Sequence, residues 1–167
     1  MRVKASDKVI IAGGIWVLVL TLAIKAFSSY FGYFGGLNTE DCIKGRYFFI
    51  EKNYKTLKDG DYFVFRFKGS KLYRKGTLFV KIVGCSAGEH LYTKKTSKGL
   101  AYYCNDRLLG YACDRKKYKN CPAHLEYNEI IPKGYYYAMG TAYNAYDSRY
   151  YGLVNEKAIV GKAIKLF

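Results

Sequence analysis

The sequence predicts a mainly β fold carried behind one N-terminal membrane-spanning helix. Three observations lead there. The 167 residues are half apolar and include 19 tyrosines and 10 phenylalanines, a composition suited to pleated, half-buried strands. Beyond residue 40 the apolar residues fall in short runs parted by Gly, Asp, Asn and Lys, which is the rhythm of strands and turns. Before that point lies a continuous apolar stretch, "VIIAGGIWVLVLTLAI" (9–24).

That stretch is short for a membrane span of roughly 20 residues. Lys25 can extend its stem to the surface, and the aromatics at 30–34 suit the membrane interface. The expected anchor is 9–29. Arg2, Lys4 and Lys8 against Asp7 put residues 1–8 in the cytoplasm. A cleaved signal peptide is the rival reading, but "AIKAFSS" makes a poor cleavage site with Lys25 in its middle.

The predicted strands follow in order. "GRYFFIEK" (45–52) is the first. "LKDGDYFVFRF" (57–67) is a turn built on Asp59, Gly60 and Asp61 leading into a strand. "TLFVKIVG" (77–84) alternates around Lys81 and is broken by "SAGEH". "LYTKK", "LAYYC" and "LLGYAC" are short strands around polar turns. "IPKGYYYAMG" (131–140) is a turn and an aromatic strand, and the C-terminal "GLVNEKAIVGKAIKLF" holds one or two more. No proline- or serine-rich linker and no internal repeat divides the chain.

Lys+Arg exceeds Asp+Glu by 15, a balance that attracts anionic partners. The basic residues are scattered, and no nucleic-acid motif accompanies them, so no nucleic-acid partner is expected. Of the five cysteines, Cys85, Cys104, Cys113 and Cys121 suffice for two disulfides, with three pairings open. Cys42 is set apart near the anchor; composition alone makes it a small buried residue or an intermolecular disulfide partner. Zinc-finger spacing is absent, as is any Cys-x-x-Cys motif, so neither a metal nor a cofactor is expected. Lys81 stands among apolar neighbours. A solvated strand face would account for it, but burial would disfavour its charge and make it a base in need of a hydroxyl or thiol.

Three stretches together resemble the type I signal peptidase family, and most closely its conjugative-transfer branch, the TraF-like peptidases. "NTEDCIKGRYF" (38–48) looks like the branch's nucleophile segment. "KDGDYFVF" with "FVKIVGCSAGEHL" is similar to the family's Gly-Asp strand and lysine box. Pro132, Gly134, Gly140 and "DSRYYGLV" (147–154) look like its last box. The resemblance makes Cys42 the nucleophile in place of serine and Lys81 the general base. It makes Asp147 and Arg149 a buried bracing pair with Ser148 between them. Asn38 and Thr39 become supporting residues before the nucleophile. Departures are Ala145, where a serine often helps to hold the lysine, and Glu40, where a hydroxyl often serves the oxyanion hole.

The resemblance implies antiparallel sheets in a barrel or sandwich, forming a periplasmic domain (36–167) with a disulfide-stapled accessory lobe at 87–129. It implies a single-pass protein of a bacterial inner membrane, meeting membrane lipid and an exported substrate. A thiol needs a weaker base than a hydroxyl, and its thioester passes an acyl group readily to an amine. The expected activity is therefore cleavage of a pilin precursor with closure into a cyclic subunit, within a conjugation or type IV secretion system. Alternatives are ordinary leader removal and an inactive peptidase-fold component of the assembly, including one made by engineering cysteine for serine.

Overall fold

The structure is a computed structural model, describing residues 5–35, 42–114, 121–142 and 144–166. Helix α1 (Ala5–Tyr30) passes without a linker into strand β1 (Phe31–Gly35). Its apolar span, Ile10–Tyr30, buries nothing against the rest of the chain, and its length and hydropathy suffice to cross a membrane. The junction is held from the side: Lys52 donates its N–H to Tyr30 O at 2.8 Å and its ammonium to Ser28 O at 2.6 Å. Phe31 packs between Phe27 and Phe49, with ring centroids 4.9 and 5.0 Å away. Residues 31–35, whose aromatics the sequence assigns to the membrane surface, form an edge strand of the main sheet.

The remaining strands are β2 (Tyr47–Glu51), β3 (Tyr62–Arg66), β4 (Leu78–Cys85), β5 (His90–Thr96), β6 (Gly99–Cys104), β7 (Arg107–Tyr111), β8 (Asn128–Ile130) and β9 (Tyr135–Met139). A single-turn helix α2 (Ser148–Tyr151), strand β10 (Val154–Asn155) and strand β11 (Ile159–Lys165) complete the chain. They form two antiparallel sheets, as predicted. One is seven-stranded, in the order β1-β2-β11-β3-β4-β9-β10. The other is four-stranded, β7-β6-β5-β8, and is inserted between β4 and β9. The last strand is threaded between two of the first, so the main sheet closes when the C-terminus arrives. Gly161 permits this: a Cβ there would lie 2.6 Å from Glu51 O.

Strand β4 separates two apolar clusters. Val80 packs with Ile43, Phe48, Ile50 and Val64. Val83 packs with Phe63, Phe65, Ala138 and Tyr151. Lys81 takes its place on this second face by the two-residue period of the strand, opposite Phe63. A bulge between Val83 and Cys85 lets β4 meet β9. Gly84 sits at the bulge, and a Cβ there would come within 2.9 Å of the Met139 sulfur.

Disulfides join Cys85 to Cys104 and Cys113 to Cys121. The first ties the end of the lysine strand to the four-stranded lobe, and the second closes a loop within it. Cys104 therefore pairs away from its two sequence neighbours. A second link joins the lobe to the main sheet: Arg107 pairs with Asp59 and donates to Gly84 O at 2.7 Å.

Candidate active site

Two strands and one turn converge beside Cys42. Strand β4 brings Lys81, which is 3 % exposed. Its nitrogen lies 5.7 Å from the centre of the Phe79 ring, and the Cys42 side chain is near enough to act on its charge. Burial lowers the Lys81 pKa from the usual lysine value; Cys42 and Asp147 act to raise it, and Arg149 acts with burial. The net direction is down, so the neutral amine is more accessible than in an exposed lysine. Such an amine can accept a proton from the thiol beside it. Cys42 is the free cysteine among the described residues and is partly buried.

The Asp147–Arg149 pair occupies the turn behind this site. Asp147 is fully buried and caps α2, accepting from the Arg149 backbone N–H at 3.1 Å. The Arg149 side chain grips it with two donors, Nε to Oδ1 and an η nitrogen to Oδ2, each at 2.8 Å. Arg149 also donates to Tyr111 O at 2.6 Å and Ala145 O at 3.1 Å. Burial alone would lower the guanidinium pKa, but the charge and hydrogen bonds of Asp147 overturn that and raise it. The pair is therefore densely bonded, with the guanidinium held in its charged form.

These bonds continue toward Cys42. Asp147 Oδ2 accepts from Gly140 N–H at 2.9 Å, and Ser148 Oγ accepts from Ala138 N–H at 2.9 Å. The end of β9 is thus held by two side chains of the Asp-Ser-Arg turn. The next residue, Thr141, donates its N–H to Cys42 O at 2.8 Å. Gly140 must lack a side chain, because a Cβ would stand 2.3 Å from Ala145 Cβ and 2.7 Å from Cys42 O. Ala145 fills the position where the family's serine often stands and packs against Gly140.

The tyrosines around the cluster line its far side. Tyr102, Tyr127 and Tyr137 form a triangle of rings with centroids 5.8 to 6.2 Å apart. Tyr127 O–H donates to Ser148 O at 2.6 Å, and Tyr102 O–H donates to Leu125 O at 2.8 Å. Burial raises the pKa of all three phenols, so they remain neutral donors.

The hydrogen bonds of the Asp-Ser-Arg turn thus run to the backbone of β9. From there they reach the carbonyl of Cys42. Thr141 touches the Cys42 segment and was missed by the sequence reading, since an exposed threonine after a glycine carries no pattern of its own. Asn38, Thr39 and Glu40 lie outside the described residues. A cleft of about 420 Å³ opens beside Gly140, Thr141 and Ala142, walled by Leu109, Tyr111 and Met139. Among the described residues one group, Cys85, Glu89 and Cys104, has metal-ligand geometry. Its two sulfurs are joined to each other, and the Glu89 carboxylate accepts from Ser86 N–H at 2.6 Å and from the Asn105 amide at 3.2 Å.

Signal peptidase I of Buchnera aphidicola subsp. Acyrthosiphon pisum (strain APS) is 56% identical over 39 residues, 23% of this chain. That match spans 12% of the relative's length. A crystal structure of a signal peptidase I from Enterococcus faecalis V583 aligns with a TM-score of 0.42 and 19% identity, covering 66% of this chain and 98% of that one. The model of the family described as "Signal peptidase, peptidase S26" matches residues 7–167, and the chain belongs to that family.

Proposed function

We propose that this chain is a membrane-anchored endopeptidase acting on exported proteins, with Cys42 as nucleophile and Lys81 as its base. The observation that carries the reading is a buried lysine, its charge disfavoured by burial, beside a free thiol. Asp147, Ser148 and Arg149 support the site, as Asn38 and Thr39 do in the family pattern. Helix α1 is the anchor, with the basic end that holds Arg2, Lys4 and Lys8 in the cytoplasm and the sheets in the periplasm.

In the first step Lys81 takes the thiol proton and Cys42 Sγ attacks the scissile carbonyl carbon. The carbon–nitrogen bond breaks, the Lys81 ammonium returns its proton to the leaving amine, and a thioester remains. Attack by an amine, with loss of its proton to Lys81, forms a new amide and frees the thiolate. Attack by water gives a linear acid. Thioesters favour the amine, and the resemblance to the TraF-like branch supplies the substrate we assign, a pilin precursor of a conjugative system closed head to tail. The serine usual in the family would give an oxygen ester, which favours amines less.

Intact mass spectrometry of a pilin precursor incubated with the full chain tests this. The expected product is lighter by one water than the linear mature pilin and disappears in Cys42→Ala. Linear product from the unmodified chain would limit the activity to ordinary leader removal. Processing by Cys42→Ser with none by the unmodified chain would mean that the cysteine disables the site.

A further inference from the structure

The Cys42 segment is held by a residue that neither the charge pattern nor the Cys–Lys pairing brings forward. Thr141 is exposed, yet its polar atoms are committed to the nucleophile segment. Its N–H donates to Cys42 O at 2.8 Å, and its Oγ1 accepts from Lys44 N–H at 3.2 Å. These are the two peptide groups on either side of Ile43, whose own side chain is fully buried. The 3.5 Å approach of the same hydroxyl to Cys42 O is too long to add much.

The grip is rigid from behind. Gly140 N–H is fixed on Asp147 Oδ2, and a Cβ at Gly140 would collide with both Ala145 and Cys42 O. A carbonyl held at 2.8 Å fixes the Cα of residue 42 and leaves Sγ one staggered rotation to choose. We infer that Thr141 is a positioning residue that staples the two peptides around Ile43 and so holds the Cys42 thiol against Lys81. This rests on the Cys42–Lys81 reading proposed above.

The test is alkylation of Cys42 by iodoacetamide in the full chain in detergent micelles, with disulfides intact. Near-ultraviolet circular dichroism of the tyrosines reports the fold. Thr141→Val keeps the shape and the backbone N–H but loses the hydroxyl, and Thr141→Ser restores it. Because small displacements of a reacting group cost rate steeply, Thr141→Val should slow alkylation by about tenfold with an unchanged spectrum, and Thr141→Ser should return most of it. Lys81→Met should slow it as well. Unchanged alkylation in Thr141→Val, with a slow Lys81→Met, would overturn the positioning role and leave the Cys–Lys pair standing. Unchanged alkylation in both would overturn the pair and the staple together. Thr141 is exposed and outside the apolar clusters, so the valine variant should fold; if it does not, Thr141→Ala read against Thr141→Ser makes the same comparison.

Discussion

Arg149 and Lys81 are buried to nearly the same depth, at 6 % and 3 % exposure, and the protein treats them in opposite ways. Arg149 is surrounded by acceptors, two on Asp147 and others on Tyr111 and Ala145, and its charged form is stabilised. Lys81 meets a thiol and the face of a phenylalanine, and its charged form is disfavoured. One cation is kept in order to hold a turn in place. The other is prepared to lose its proton. Burial sets the cost in both cases, and the partners decide whether the charge survives it.

The largest effect expected from disturbing this contrast comes from Asp147→Ala. It removes both carboxylate acceptors from Arg149 and the acceptor of Gly140 N–H, and should cost about 3–5 kcal/mol of stability, read from urea unfolding. A loss below ~1 kcal/mol, the range of an exposed pair, would mean that water reaches the site. Ser148→Ala removes the acceptor for Ala138 N–H and should cost about 1–3 kcal/mol by the same measurement. Lys81→Met works in the other direction. The lysine pKa is lower folded than unfolded, so between the two values the unfolded chain binds more protons and stability rises with pH. Below the folded pKa the buried charge is a full penalty. Lys81→Met should therefore raise the melting temperature most in acid, with the gain shrinking as pH climbs toward 10.5. A gain independent of pH would mean that Lys81 does not change protonation on folding.

The apolar N-terminal stretch, the short strands and the Asp59-Gly60 turn were visible in the sequence because they depend on local pattern. That pattern left Lys81 between a solvated strand face and a buried base, and the burial of Asp147 and Arg149 came from the resemblance carried by "DSRYYGLV". What was not visible depends on long-range closure. The insertion of β11 between β2 and β3 and the pairing of Cys85 with Cys104 join residues far apart in sequence, with no periodicity to mark them. Thr141 is the sharpest case. An exposed threonine after a glycine has no distinguishing pattern, and its role follows from the approach of a segment 99 residues earlier. The strand at Phe31–Gly35 was missed because its aromatics also suit a membrane interface, and its pairing with β2 is a contact between segments that no local pattern marks.

The passage from helix to strand at Tyr30–Phe31 has a mechanical meaning. A flexible tether would let the sheets wander over the bilayer. Here the junction is bolted by Lys52 and by the ring of Phe31, so the anchor and the body turn as one rigid crank. In the proposed reading, the thiol then stands at a constant height above the lipid. A substrate embedded by its own apolar segment would be cut at a fixed distance along its chain, so the anchor would serve as a ruler.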